Sequence, residues 1–306
     1  MIADKPLVSI LLAVYKPNQN WLIEQLVSLN NQTYDNLELL IYDDCPEFPI
    51  DEWLFKNYIT NFKYEIIRGK INRGSNKAFE ELTKIGNGEY FAYCDQDDIW
   101  ENNKIKILLE EIQKYDGTIA YSDMCIIDKN SNKVADSLKI ARPRLNYIYG
   151  EKLYSKIFFS NCIAGCSMLA KRNIAQKAIP FSKVTIHDQW ISIIGSFYGK
   201  IIFMDKPLVS YRIHDNNQTG ILTDINTKVD YYNKRVIPLK TRLYDLKKYI
   251  KQVELNEVSN FCYARINKDI INIFKYRYLS KKEAYFEVII KYIPNWLFRI
   301  IIEKLK

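Results

Sequence analysis

The chain has 306 residues, of which 48% are hydrophobic and 14% aromatic, so it is long enough for a full α/β domain with an accessory part, and intrinsic disorder is excluded. Its formal charge of +8 is uneven, because residues 221–306 hold 18 Lys and Arg against 9 Asp and Glu, while residues 1–220 hold 26 against 27. A basic tail of this kind suits an anionic membrane surface or nucleic acid.

Strand-like and helical patterns alternate along the first part of the chain. Apolar runs predict strands at 7–14, 37–42, 64–67 and 90–94. Helical spacing of apolar residues predicts helices at 21–31, 77–85 and 104–114. This alternation predicts an α/β fold, a mostly parallel sheet flanked by helices, whose ligands bind outside the carboxyl ends of the strands.

The later part of the chain changes character. Segment 118–127 and the polar turn 128–132 predict a strand and a hairpin connection. Beyond residue 220 the pattern indicates long helices rich in Lys, Tyr and Ile. We therefore predict an α/β domain over residues 1–220 and a basic helical region over residues 221–306.

Acidic side chains follow two of the predicted strands. Asp43 and Asp44 come after the second strand, and Asp95, Asp97 and Asp98 come after the fourth, in CDQDDIW. Carboxylates this close repel one another unless a cation or a cation-bearing ligand lies between them. If the segment is extended, Asp95 and Asp97 point to the same face and reach one Mg²⁺ or Mn²⁺ ion. The alternative is an acidic turn that caps the helix starting near residue 101.

The chain contains two histidines, His187 and His214, and aspartate follows each of them. They lie in the polar segments HDQW and YRIHDNNQTG, which aromatic residues flank. A single histidine is usually structural, but two in such segments weakly indicate a functional site.

Taken together, the motifs resemble those of glycosyltransferase family 2, the nucleotide-sugar-dependent enzymes with the GT-A fold. The resemblance covers about residues 7–220, through VSILLAVYKP, LLIYDDCP, NRGSNKAFEEL, GEYFAYCDQDDIW, NCIAGCSMLAKR, HDQW and KPLVSYRIHDNNQTG. Each motif alone is unspecific, whereas their order and spacing are specific. DQDDIW combined with the late YRxHxxNxxG is most similar to the rhamnosyltransferase branch of cell-surface polysaccharide assembly.

The resemblance also implies roles for the matching residues. These are Asp43 and Asp44 at the nucleotide base, Asn72 and Gly74 in the nucleotide pocket, Asp95 at the ribose and phosphates, Asp97 with Asp95 at the metal, Gly165 and Trp190 on the acceptor side, Asp188 as catalytic base, and Arg212 and His214 at the departing diphosphate. A base at Asp188 fits the chemistry, because a sugar hydroxyl is a poor nucleophile until its proton is removed. For Arg212 a surface salt bridge is the alternative.

The activity that the resemblance implies is inverting, metal-dependent transfer of a single sugar to a glycan or lipid-linked acceptor, with Mg²⁺ or Mn²⁺. The favoured donor is dTDP-rhamnose, and a UDP-hexose or UDP-N-acetylhexosamine is the alternative. CPE follows the second strand where the family often has a different acidic motif, so the base preference stays open. A non-catalytic nucleic-acid-binding protein is the competing hypothesis; it leaves DQDD and HDQW unexplained, so we expect no nucleic acid partner.

The C-terminal segment 284–306 combines apolar and basic residues. Pro294 suits a first helical position. Beyond it we expect an apolar face formed by Trp296, Leu297, Ile300 and Ile301, and a polar face formed by Arg299, Glu303 and Lys306. Such a helix either packs on the catalytic domain or lies in the surface of an anionic membrane, and the basic charge favours the membrane. Without a spanning segment or signal-peptide pattern, we expect a cytoplasmic protein, peripheral on the inner face of the cell membrane.

Overall fold

The computed structural model describes residues 5–214 and 224–304. The chain forms two compact units. The first comprises Met1–Tyr154, Asn161–Phe181 and Ile186–His214, and the second comprises Ser155–Ser160, Ser182–Thr185 and Asp215–Lys306. The predicted boundary at residue 220 lies outside the described residues, so the division into 1–220 and 221–306 stays a prediction.

A nine-stranded sheet lies in the first unit. Its strands are β1 (Val8–Val14), β2 (Leu37–Asp43), β3 (Lys63–Arg68), β4 (Tyr90–Cys94), β5 (Ile99–Trp100), β6 (Gly117–Ile127), β7 (Lys133–Ala135), β8 (Met168–Lys171) and β9 (Lys200–Arg212). The strand order is β3-β2-β1-β4-β8-β6-β9-β5, with β7 paired to β6.

Helices flank this sheet and make up the second unit. They are, in chain order, α1 (Gln19–Asn30), α2 (Glu52–Tyr58), α3 (Ser75–Ile85), α4 (Lys104–Lys114), α5 (Leu138–Ala141), α6 (Tyr154–Phe159), α7 (Arg172–Lys177), α8 (His187–Tyr198), α9 (Lys228–Tyr231), α10 (Pro238–Leu246), α11 (Asn256–Ile266), α12 (Ile270–Lys275), α13 (Lys281–Tyr292) and α14 (Asn295–Glu303). The predicted α/β fold is confirmed, and each strand and helix predicted up to residue 127 is present within two residues of its expected bounds.

Strand β1 shows why the sequence pattern identified these elements. Its residues VSILLAV are buried almost throughout, because β2 and β4 pair with it in parallel and helices cover the sheet. The Asn18 side chain caps α1 by accepting hydrogen bonds from the backbone N–H groups of Asn20 and Trp21. Both signals act over a few residues, so they can be recognised in the sequence alone.

One edge of the sheet collects residues that are distant in sequence. β1, β2 and β4 run in parallel, so Val14, Asp43 and Cys94 all lie toward this edge. β8 runs antiparallel to β4 and β6, which brings the 3₁₀ turn before it, Gly165–Ser167, to the same edge. β6 and β9 are parallel, and Arg212 ends β9 here. The topology therefore gathers the predicted site residues at one edge.

The helices of the second unit are shorter than the sequence pattern predicts. The longest helix described there, α13, has 12 residues, so the expectation of long helices is wrong. The reason lies in residues that begin new helices: Pro238 occupies a first-turn position of α10, Asp269 caps α12, and Pro294 precedes α14.

The C-terminal helix α14 packs by a different face from the one that the sequence suggested. Phe298 and Ile302 are buried in a small core with Tyr231, whereas Trp296 is 65% and Ile300 47% exposed. The predicted apolar face is thus partly wrong, because apolar residues occur around the whole helix. Among residues 5–214 and 224–304, no helix combines the length and the apolar character that crossing a membrane requires.

Candidate functional site

Asp44 connects three segments at the edge where β1 and β2 end. Its carboxylate accepts hydrogen bonds from the backbone N–H groups of Arg73 (2.9 Å) and Gly74 (2.7 Å). Its own N–H donates to the Val14 carbonyl (2.9 Å). Asp44 is buried and holds the loop before α3 against the ends of both strands.

Asp43 uses its carboxylate within the loop that follows β2. The carboxylate accepts hydrogen bonds from the N–H groups of Cys45 (3.2 Å) and Ile50 (2.9 Å) and forms a salt bridge with Arg68 (3.1 Å). These contacts shape the loop beside Asp44. A direct contact between Asp43 and a nucleotide stays a prediction.

Asn72 and Gly74 form the sharp turn before α3. Gly74 has a φ of +79° with open space around the position of a Cβ, so backbone conformation rather than crowding favours glycine. The Asn72 side chain accepts the Gly74 N–H (3.0 Å). A cavity of about 230 Å³ adjoins this turn, and its lining includes Tyr42, the cationic Arg68, Lys70 and Arg73, and the carboxylate of Glu81. An aromatic ring beside cationic groups is a surface that can bind a planar, anionic ligand.

The acidic segment after β4 is a turn rather than an extended strand. The chain turns at Gln96 and Asp97, so the expectation that Asp95 and Asp97 share an extended face is wrong. Gln96 fixes the turn by accepting the N–H of Tyr15 (2.8 Å) and donating to its carbonyl (3.1 Å). The turn instead brings the ligand atoms of Asp95, Asp98 and Cys166 within 4.8 Å of one another.

Electrostatics at this turn favours a bound cation. Burial, together with the charges of Asp98, Asp97 and Asp188, raises the pKa of Asp95 well above its usual range. Burial and the Asp97 charge raise the pKa of Asp98 to about 7, and Asp98 Oδ2 is buried without a hydrogen-bond partner among the described residues. Hard carboxylate oxygens with excess negative charge fit Mg²⁺ or Mn²⁺. The Cys166 thiol does not, because burial raises its pKa well above the usual range.

Asp97 pairs with His214, which the sequence places 117 residues away. The His214 Nε2 and Asp97 Oδ2 atoms are 2.7 Å apart. The His214 ring packs against Trp21, with 4.7 Å between the ring centroids. Two residues predicted to act on the diphosphate and the metal therefore meet, and Trp21 supports them, a role that the sequence analysis missed.

Lys104 is a second residue that the sequence analysis missed. It is fully buried in the first turn of α4, its Nζ donates to the Cys166 carbonyl, and it lies 3.0 Å from the centroid of the Trp100 ring. Burial lowers its pKa to about 7, while the nearby carboxylates Asp95 and Asp98 act in the opposite direction. A lysine on the apolar stripe of α4 was the signal that could have identified it.

Asp188 lies in the first turn of α8 and is buried. Its Oδ2 accepts the N–H of Gly165 (3.1 Å), and its Oδ1 accepts a hydrogen bond from the Asn161 side-chain amide (3.2 Å). Burial raises the pKa of Asp188 to about 7. A carboxylate held this way can exchange a proton near neutral pH.

His187 supports Asp188 from within the core. Its ring stacks on Phe79, with 4.1 Å between centroids, and also packs on Tyr93. Burial lowers the pKa of His187 to about 3, so the imidazole is neutral. A Cβ at Gly165 would lie 2.6 Å from His187 Nε2, so this turn approaches the ring too closely for any other residue.

We expect Gly165→Ala to destabilise the fold by roughly 1–3 kcal/mol and to reduce activity, because the added methyl group displaces His187 and with it Asp188. Urea denaturation measures the free energy of unfolding. If the clash causes the loss, the free energy of unfolding that the double variant Gly165→Ala/His187→Ala loses should be smaller than the sum of the losses in the two single variants. Additive losses in the double variant would contradict this explanation.

Trp190 is fully buried, and its indole N–H donates to the Ala178 carbonyl (2.9 Å). It packs α8 against the rest of the first unit. A buried indole gives an acceptor no surface to contact, so we do not retain Trp190 in the acceptor site.

Arg212 is also fully buried rather than a surface ion pair. Its guanidinium forms a salt bridge with Glu24 (2.5 Å) and donates to the Asp97 carbonyl (2.7 Å), and its backbone N–H donates to Asp98 (3.1 Å). These contacts fix the acidic turn. Arg212 offers no exposed face to a diphosphate, so we assign it a positioning role.

Comparison with known proteins gives consistent sequence matches. The family described as Glycosyl transferase family 2 matches residues 9–176, more than half of the chain. An uncharacterized glycosyltransferase of Methanocaldococcus jannaschii is 29% identical over 217 residues, 69% of this chain and 72% of that protein. WfgD of Escherichia coli, a UDP-Glc:alpha-D-GlcNAc-diphosphoundecaprenol beta-1,3-glucosyltransferase, is 27% identical over 199 residues, 62% of this chain and 71% of its own.

Solved structures give matching folds. S. aureus TarS 1-349 in complex with UDP has a TM-score of 0.58 at 14% identity, covering 85% of this chain and 71% of that one. The complex with UDP-GlcNAc has a TM-score of 0.57 at 14% identity, covering 90% of this chain and 91% of that chain. At this identity the likeness shows the fold, and it confirms the GT-A expectation.

Proposed function

Because the chain belongs to glycosyltransferase family 2, we propose that it transfers a single sugar from a nucleotide-sugar donor to a glycan or lipid-linked acceptor, with inversion. The observation that carries this proposal is the turn Gly165–Ser167, because the Gly165 N–H bonds to Asp188 while Cys166 of the same turn lies within 4.8 Å of the ligand atoms of Asp95 and Asp98. A base next to a group of carboxylates that can hold a cation is the arrangement that sugar transfer to a hydroxyl requires.

Asp188 acts as the base in the proposed reaction. It removes the proton of an acceptor hydroxyl, whose oxygen attacks the anomeric carbon while the bond from that carbon to the diphosphate oxygen breaks. The electron pair of the broken bond leaves with the nucleoside diphosphate. Hydrogen bonds from Gly165 and Asn161 orient the carboxylate, and its pKa of about 7 suits proton transfer at neutral pH.

We propose that Asp95 and Asp98, whose ligand atoms lie within 4.8 Å of one another, hold a divalent cation together with Asp97 of the same turn, which His214 orients. Members of this family often depend on a divalent metal. When bound, such an ion supplies positive charge for the diphosphate of the donor. Arg212 holds the turn in place, because its guanidinium donates to the Asp97 carbonyl and its backbone N–H donates to the Asp98 carboxylate.

The donor proposal rests on the sequence motifs and on the relatives. DQDDIW and YRxHxxNxxG favour dTDP-rhamnose. The names of WfgD and of the TarS complexes support a UDP-sugar as the second candidate. We propose that the nucleotide base lies beside Asp44 and the turn of Asn72 and Gly74, next to the 230 Å³ cavity that Arg73 of this turn lines.

We expect a pyrimidine nucleoside diphosphate, dTDP or UDP, to raise the melting temperature in the presence of Mn²⁺ or Mg²⁺, because ligand bound to the native state stabilises it by mass action. At a hundred times Kd the stabilisation is about 2.7 kcal/mol. A thermal-shift screen of UDP, dTDP, GDP and CDP with each metal is the test. Salt-sensitive DNA binding without any nucleotide response would support the nucleic-acid hypothesis instead.

We also propose that the second unit contacts an anionic membrane surface through α13 and α14. Tyr285, Ile289 and Tyr292 lie at helical spacing on α13 and are exposed, as are Trp296 and Ile300 on α14. The same two helices carry exposed basic residues, Lys281, Lys282, Lys291 and Arg299. Exposed aromatic and aliphatic side chains beside basic charge favour the headgroup region of anionic lipids.

Replacing both Trp296 and Ile300 by serine should lower binding to vesicles rich in phosphatidylglycerol about tenfold or more, because it removes apolar area without touching the buried Phe298 and Ile302. Co-sedimentation measures the bound fraction. Val253→Ser, at another exposed apolar position of the second unit, is the matched control. Unchanged binding in the double variant would refute the proposed membrane face.

A further inference from the structure

Three aromatic rings form a stack in the first unit. The Tyr147 and Phe203 centroids are 4.2 Å apart with an interplanar angle of 23°, and Phe203 and Tyr149 are 6.1 Å apart at 20°. Phe203 is thus nearly parallel to both tyrosine rings. Tyr149, at one end of the stack, is 65% exposed.

Hydrogen bonds to β6 fix the backbone of this stack. The Tyr121 hydroxyl donates to the Ile148 carbonyl (2.9 Å) and accepts the Ile148 N–H (3.1 Å). The Tyr147 hydroxyl donates to the buried carboxylate of Asp123. The residue between the two tyrosines is therefore held at both of its backbone polar groups.

A second attachment lies on the other side of Tyr149. Gly150 and Ile201 exchange two backbone hydrogen bonds of 2.8 Å each, which join this segment to β9 close to Phe203. Because the backbone is held on both sides of Tyr149, the segment loses little conformational freedom when a ligand binds, so the contact area of the ring contributes more fully to affinity.

The stack adjoins the segment that orients the base. The Tyr121 hydroxyl lies 3.5 Å from the Cys162 sulfur, and the neighbouring Asn161 donates to Asp188. Tyr121 also packs on Phe203, with 5.0 Å between centroids. One continuous set of contacts therefore leads from the exposed tyrosine to the carboxylate that receives the acceptor proton.

We propose that the exposed face of Tyr149, backed by Phe203, is an acceptor subsite that stacks on a pyranose ring of the glycan. A pyranose presents a face of C–H groups, which suits a flat aromatic surface, and a rim of hydroxyls. Asp205 and Lys206 follow Phe203 on β9, are exposed, and can bond to such hydroxyls. The inference rests on the proposed function, because the subsite holds the acceptor sugar whose hydroxyl Asp188 deprotonates.

The test measures saccharide binding in the full chain with UDP or dTDP and Mn²⁺ present. The probes are cellobiose, chitobiose and methyl α-L-rhamnoside. Saturation-transfer NMR measures their binding. We expect Tyr149→Ala to weaken the binding of the responding saccharide about tenfold, whereas Tyr149→Phe keeps the ring and stays near wild type. Tyr244→Ala, at a tyrosine of matching exposure (66%) in the second unit, should change nothing.

Each outcome separates the subsite from the function on which it rests. If the wild type binds a nucleoside diphosphate but no saccharide, or if Tyr149→Ala leaves saccharide binding unchanged, the subsite is refuted and the proposed function stands. If no nucleoside diphosphate binds, the proposed function fails first. If Tyr149→Ala loses binding to a thymidine octanucleotide while its saccharide binding is unchanged, the ring stacks on nucleic acid and the proposal is overturned.

Discussion

Replacing Asp188 by asparagine is expected to lower kcat for sugar transfer by roughly 10²–10⁴-fold, the usual contribution of a general base, while donor affinity stays nearly unchanged. Asparagine keeps the size of the side chain, but its one amide oxygen can accept only one of the two hydrogen bonds, because Gly165 donates to Oδ2 and Asn161 to Oδ1, so we expect some fall in melting temperature beside the loss of rate. It cannot accept the acceptor proton. Transfer rate, donor affinity and melting temperature of this variant are the measurements.

The three measurements distinguish the roles that Asp188 can have. A metal or donor ligand would lose affinity together with rate, and a purely structural carboxylate would change mainly the melting temperature. Asp136→Asn is the control, because Asp136 is exposed and pairs only weakly with Lys133. Transfer at a near wild-type rate in Asp188→Asn would remove it as the base and would reopen the question of inversion.

The pH dependence of the same variant provides a further check. Burial raises the pKa of Asp188 to about 7, above its unfolded value of about 4. A raised folded pKa contributes stability that is full below about pH 4 and is lost as the pH rises through about 7. We therefore expect kcat of the wild type to increase through about pH 7, and the melting temperature of Asp188→Asn to rise relative to wild type between pH 5 and pH 8.

Asp97→Asn is expected to weaken the binding of a nucleoside diphosphate and of Mn²⁺ together, by roughly tenfold or more. The change removes an anionic oxygen ligand at nearly constant size, and it also weakens the contact with His214 Nε2. Isothermal titration of UDP and dTDP, each with Mn²⁺ and with a chelator, measures the linkage between the two ligands.

A second carboxylate variant tests whether the loss of affinity is specific to the acidic turn. Asp35→Asn changes a carboxylate that is exposed and paired with Lys5, far in sequence from the acidic turn, and should leave both affinities unchanged. Equal nucleotide affinity in chelator and in Mn²⁺ would refute the metal proposal. The acidic turn would then serve only to organise the chain before α4.

The sequence by itself determined the elements whose signals are local. The apolar run of β1 and the helical spacing of α4 depend on contacts within a few residues and on burial against neighbours of any identity. The ordered motifs likewise identified the family, and the family match confirmed that assignment. The same local signals also placed acidic residues at strand ends, because a parallel sheet brings those ends to one edge.

Only the tertiary structure decided which side chains share that edge and how they meet. The turn at Gln96 joins Asp95 to Asp98 rather than to Asp97, and the burial of Arg212 makes it a support instead of a ligand contact. Such outcomes depend on distance and solvent exclusion between segments far apart in the chain. No pattern within a short window of sequence encodes those quantities, which is why the pairing of Asp97 with His214 and the aromatic stack of Tyr149 appeared only in three dimensions.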